Sequence, residues 1–159
     1  MDKAKQFRAE TQSRILVKDG PYGTQIQAAG LAAEDYAGAT GLARDQKGNN
    51  DLVNLTQPQV VRGICDAYID AGATLLATNT FNATRISQAD YGAEHLVREI
   101  NTAAARIIRE AVDEASARDD LPRFVLGAIG PTNKTLSLSP DVDDPGMREI
   151  GWDELVEVY

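Results

Sequence analysis

The chain has 159 residues, 43% of them hydrophobic, which suits one domain with a buried core and argues against a disordered polymer. A formal charge of -8 argues against a partner that needs a cationic surface, whether nucleic acid or an anionic membrane. The single cysteine, Cys65, allows no internal disulfide and fits a reducing compartment. The opening stretch "MDKAKQFRAETQSR" is charged throughout and lacks a signal-peptide core, and no apolar run approaches the ~20 residues that span a bilayer. A cytoplasmic location is expected.

Taken in chain order, residues 3–12 read as a short helix and "RILV" (14–17) as the first strand, an apolar run with β-branched residues. A Gly- and Ala-rich stretch, 28–50, reads as short helix and loop. A punctuated helix follows, with Thr56 as its cap, Pro58 in the first turn, Gln59 three residues after the cap and Gly72 as its stop. Val61, Ile64, Cys65 and Tyr68 share one face of it. "ATLLATNTF" (73–81) supplies the second strand. In "EHLVREINTAAARIIREAVDEASAR" (94–118), Leu96, Ile100, Ala103, Ile107, Ala111 and Ala115 keep helical spacing, with Glu94/Arg98, Arg106/Glu110 and Arg109/Asp113 as i,i+4 pairs. "RFVLGAIG" (123–130) is a third strand, apolar on both faces, as a strand covered by helices would be. A long irregular loop then runs into a helix that starts near Asp153.

Strand and helix alternating in this way imply parallel strands with right-handed crossovers, hence an α/β fold. A doubly wound nucleotide-binding sheet is disfavoured, because "DGPYGTQIQ" has neither the glycine spacing nor the lysine of a phosphate loop. A (β/α)8 barrel collects functional residues where its strands end. All three strands here end in polar clusters, "DGPYGT", "TNTFNAT" and "GPTNKT". Asp19 with Gly20 is by itself ordinary turn chemistry. Three successive strands delivering Asp19, Asn79 with Thr80, and Thr132 with Asn133 to one rim instead outline part of a pocket. For Asn79 the alternative stays open that it only ties down a loop through backbone hydrogen bonds.

The series "KGNNDLV", "DAGATLLATNTFNATRISQADYG", "REINTAAARIIREAVDEA" and "GAIGPTNKTLSLSPDVDDP" resembles, in order and spacing, the start of the homocysteine-binding domain of cobalamin-dependent methionine synthase, within the homocysteine S-methyltransferase family. The resemblance covers nearly the whole chain. It implies a (β/α)8 barrel that binds homocysteine and holds its sulfur as a thiolate on zinc. That thiolate takes a methyl group from methylcobalamin, carried by another module and recharged from methyltetrahydrofolate.

Carried over by the resemblance, Asp19 and Gly20 fall on the "DG" that closes the first strand, where the carboxylate helps hold the substrate ammonium. A charged group buried at a barrel mouth needs such a partner. Asn79 and Thr80 join them as substrate-binding residues. Pro21 stands where relatives often have a second glycine, and so loses an amide donor. Tyr22 is left with a packing role in the floor or wall. The zinc ligands implied by the family are three cysteines from late strands, and Cys65 is not one of them. It sits on an apolar helix face, where free cysteine is usually a small core residue. His95 has no second ligand at suitable spacing and reads as a helix-surface residue.

A complete barrel takes ~250 residues. Residues 1–159 therefore read as the first three βα units of an incomplete barrel, the N-terminal portion of a homocysteine-binding domain. Such a piece carries no cofactor or catalytic residue of its own and is inactive alone. Its expected partners are homocysteine, the rest of the barrel, and the folate and cobalamin modules. A non-catalytic remnant, serving as a small binding or assembly module, is the alternative.

Overall fold

The computed structural model describes residues 2–159. Its centre is α7 (Val97–Asp119), where the expected apolar stripe widens to include Ala104, Ile108 and Val112, all buried. Against it pack α5 (Pro58–Asp70), presenting Val61, Cys65 and Ile69, and the strand β1 (Leu75–Ala77), presenting Leu76. β2 (Phe124–Leu126) pairs in parallel with β1, Leu75 opposite Phe124 and Ala77 opposite Leu126. A parallel pair separated by a 23-residue helix is a βαβ crossover, so the strand ends lie at one rim. A second, smaller core joins Leu52, Ala83 and Ile100.

Shorter helices complete the chain: α1 (Lys3–Ser13), α2 (Tyr22–Ala28), α3 (Ala33–Ala37), α4 (Val53–Thr56), α6 (Arg85–Gln88) and α8 (Trp152–Val158). Asp2 caps α1 by accepting from the Ala4 N–H. Between β2 and α8 the chain is irregular, as its Pro, Ser and Asp content leads one to expect.

Two local expectations are corrected. "RILV" is not a strand. Only Lys18 bridges Leu75, with the Val17 carbonyl accepting from the Thr74 and Leu75 N–H groups and the Asp19 N–H donating to Leu75. This segment has a neighbour on one side only, and that neighbour reaches no further back than Thr74. Ile15 and Val17 are consequently 90% and 52% exposed. Nor does Thr56 cap α5. Burial of Leu52 and Val53 winds the preceding residues into α4, and Gln57 breaks the helix because a residue before proline is barred from the α region. Among the described residues the Thr56 hydroxyl is left buried without a partner.

Of the charge pairs expected on α7, Arg109 and Asp113 close at 2.8 Å. Glu94 and His95 belong instead to a tight 3-10 turn, Glu94–Leu96, that precedes the helix, so Glu94 and Arg98 lose helical spacing. Arg62 of α5 reaches both Asp66 and Glu114, tying α5 to α7.

The sheet has apolar residues at its margins that cover nothing: Ile15 and Val17 on one side, and Ile129, 79% exposed, beyond β2. Unpaired strand edges beside exposed apolar side chains favour association. The chain expressed alone is expected to self-associate or to melt without a sharp transition. A monodisperse monomer in sedimentation velocity, with a cooperative melt and slow amide exchange in β1 and β2, would show a self-sufficient domain instead.

Candidate functional site

Where residues 18–20 and β1 both end, the chain leaves a pocket of about 300 Å³, at the small end of the range for small-molecule sites. Gly20, Pro21, Tyr22 and Gly23 form one side, Ala77 to Asn82 another, and Asn50 with Asp51 a third. Ala128, just past β2, closes the wall. Two of the three polar clusters expected to converge do so. The third does not: Thr132 donates to the Lys134 carbonyl and Asn133 to Asp90, both away from the pocket.

Asp19 lies behind the wall rather than on it. Its side chain is wholly buried, Oδ2 accepts from the Ala77 N–H at 2.8 Å, and Oδ1 is ion-paired with Lys18 Nζ at 2.7 Å. The carboxylate thus staples the "DG" turn to the end of β1, and Lys18, itself a pocket residue with a half-exposed side chain, neutralises it. Gly20 leaves room for the Tyr68 side chain. A Cβ there would stand 2.8 Å from the Tyr68 hydroxyl, which donates to the Pro21 carbonyl.

Asn79 fastens the opposite wall. Its amide donates to the Asn50 carbonyl at 2.8 Å, while Asn54 donates to the carbonyls of Asn79 and Asp51, each at 2.7 Å. Loop-tying and pocket-lining are therefore one role for Asn79. Thr80 is committed as well. Its hydroxyl donates to the Ala128 carbonyl, so Thr78 donates to Thr80 and accepts from the Ala128 N–H. This hydroxyl chain continues the β1–β2 ladder one step past its last regular pair.

Tyr22 packs in the wall with its hydroxyl buried beside Cys65. Burial raises its pKa, and the neighbouring Cys65 and Asp19 add to the effect. Cys65 is fully buried, and burial pushes its thiol up to about 11, so it is a neutral core residue at physiological pH. His95 is exposed on its turn.

Asp51 was not singled out by sequence reasoning, and it is the acidic residue that lines the pocket among the described residues. It is 3% exposed, and Oδ1 accepts from the Asn82 N–H at 2.9 Å. No lysine, arginine or histidine nitrogen pairs with it among the described residues. Burial pushes its carboxyl up to about 6, against the opposing pull of the Asn82 N–H and its own N–H. The available signal was an acid set directly against an apolar pair, "DLV", within "KGNNDLV".

A family model described as homocysteine S-methyltransferase matches residues 16–159. The chain belongs to that family. Its structure resembles two solved structures of the homocysteine methyltransferase MmuM from Escherichia coli, one an oxidised and one a metallated form. The TM-scores are 0.61 and 0.62, at 23% and 22% identity. The likeness covers 79% of this chain but only 40% and 41% of the MmuM chains, and it establishes the fold: mixed α/β, matching part of a barrel-family methyltransferase. Among the described residues, no helix is long and apolar enough to cross a membrane.

Proposed function

We propose that residues 1–159 are the N-terminal portion, the first three βα units, of the (β/α)8 barrel of a cytoplasmic cobalamin-dependent methionine synthase. In this reading the chain contributes one wall of the homocysteine site. The observation that carries it is the position of the pocket, at the ends of parallel segments within a homocysteine S-methyltransferase family chain. Gly20, Asn79 and Thr80 shape the cavity. Asp19, paired with Lys18, fixes the turn that forms one side of it. Folate and cobalamin modules supply and carry the methyl group from outside these residues.

Zinc, which this reading requires to hold the substrate sulfur as a thiolate, does not fit the residues present. Cys65 is a buried neutral thiol, and among the described residues no three His, Cys, Asp or Glu side chains converge as a metal site would need. The ligands must come from the remainder of the barrel, and the chain's own part is to bind and orient the amino acid.

The test is an amide NMR titration of the chain with L-homocysteine. The expected result is a set of shifts confined to Gly20, Gly23, Asn50 and the 78–82 segment, weak in affinity because part of the barrel is missing. Shifts scattered over the surface, or none at millimolar ligand, would return the pocket to a packing defect at an uncovered rim.

A further inference from the structure

Resting on the reading of the pocket as a homocysteine site, we infer that Gln88 is a positioning residue for that substrate, holding two walls of the pocket from behind through Asn49 and Asn82. Gln88 ends α6 and is fully buried, as are Gln46 and Asn49 in the loop before α4. None of the three lines the cavity. Asn49 and Gln88 bond reciprocally. Asn49 Nδ2 donates to Gln88 Oε1 at 2.9 Å, and Gln88 Nε2 donates to Asn49 Oδ1 at 3.0 Å. Gln46 completes the set: its Oε1 accepts from Asn49 Nδ2, and its Nε2 donates to the carbonyls of Arg44 and Tyr91.

Gln88 is the member that reaches both walls. Asn49 directly precedes Asn50 and Asp51, which form one wall, and Asn82 is the last residue of the wall that begins at Ala77. The second bond from Gln88 Nε2 goes to the Asn82 carbonyl at 3.2 Å. Asn82 is therefore held through both backbone groups, since its N–H donates to Asp51 Oδ1. The Asn79 amide joins the same two walls by donating to the Asn50 carbonyl. A slide of one wall past the other would strand buried donors and acceptors, which is costly.

Stability alone does not call for amides here, because apolar side chains of matching shape can replace a buried hydrogen-bonded set at little cost. What the amides add is a single sense. Each of the three donates twice and each oxygen accepts, so turning any one end for end sets oxygen against oxygen. A network satisfied in this way permits one arrangement of the chain. A substrate meeting walls already set in place binds with less loss of freedom.

The test titrates the full chain and two variants with L-homocysteine, following the amide signals of Gly20, Gly23, Asn50 and residues 78–82 at a pH and temperature where each protein is folded. Gln88→Met keeps the length of the side chain and removes its amide. It is expected to weaken L-homocysteine about 10-fold, the scale of loss when supporting rather than contacting groups are removed. Val112→Ala, in the larger core, is expected to lose stability to urea as well but to bind as the parent does. In the parent, the Gln88 side-chain NH2 signals are expected to move with the Asn50 and Asn82 amides as the ligand saturates. If Gln88→Met binds as the parent does, or if Val112→Ala weakens binding equally, this inference is wrong and the proposed function stands. Should Gln88→Met not fold, side-chain signals that stay still in the saturated parent overturn the inference, and signals that move support it. If L-homocysteine moves no pocket amide of the parent, the proposed function fails, and this inference with it.

Discussion

Gly130→Ala is expected to cost about 3 to 5 kcal/mol of stability and to open the pocket, whereas Gly127→Ala, three residues earlier on the same segment, is expected to be tolerated. The difference lies in what surrounds each glycine. A Cβ on Gly127 meets nothing within 4 Å. On Gly130 it would fall within the carbonyl group of Phe81, with the Phe81 ring only 3.0 Å away. A backbone carbonyl cannot rotate aside as a side chain does, so the two segments must separate.

They meet just beyond the Thr78–Thr80–Ala128 hydroxyl chain, whose bonds to Ala128 are 2.8 and 2.9 Å long. Losing two such bonds at about 1 kcal/mol each, on top of overpacking at about 1 to 3 kcal/mol, gives the figure. Urea unfolding of both variants checks it. Equal midpoints would mean that the 128–130 segment yields freely and that the wall of the pocket is soft.

The two glycines also show how much was legible in the sequence. The third strand is expected to run through "GAIG" to residue 130, but the structure ends β2 at Leu126, and nothing local distinguishes a glycine in open space from one pressed on a distant carbonyl. The same division runs through the rest. Helix α7 was readable because its stripe is long and its partners repeat every turn. The first strand was over-read, since a run such as "RILV" carries no sign of whether a neighbour reaches alongside it.

At the site, the convergence of "DGPYGT" and "TNTFNAT" follows from parallel strands and was anticipated. Asp51 was missed because it owes its place to contacts far along the chain, Asn79 to Asn50 and Asn82 to Asp51, that give a polar loop the fixity of a strand end. Asp19 was legible as a charged residue at the rim, but its pairing with the adjacent Lys18 turns on which way two neighbouring side chains point.

Asp51→Asn is expected to raise the stability of the chain by about 1 to 3 kcal/mol at pH 8 and to lower it by up to about 2 kcal/mol below pH 4, a swing of about 3 kcal/mol. The sign follows from where the carboxyl titrates. In the folded chain it does so near 6, above its usual 3.8, so between those values the native state holds a proton that the unfolded state has released. Stability from this group is therefore greatest below pH 3.8, falls as pH rises through the window, and stays low above 6. Ionising a carboxyl so displaced costs the fold about 3 kcal/mol, and the gain in the variant is reduced by the cost of burying an amide whose N–H groups lack partners. The Asn82 N–H keeps its acceptor in the variant. Other carboxylates act in the opposite sense, since Arg123 holds Asp119 and Arg62 holds Glu114 below the usual range, but they are common to both proteins and cancel in the difference. Urea midpoints for the pair at pH 4, 6 and 8 measure it. A flat difference across the three pH values would mean that water reaches Asp51 freely and that burial is not what displaces its titration.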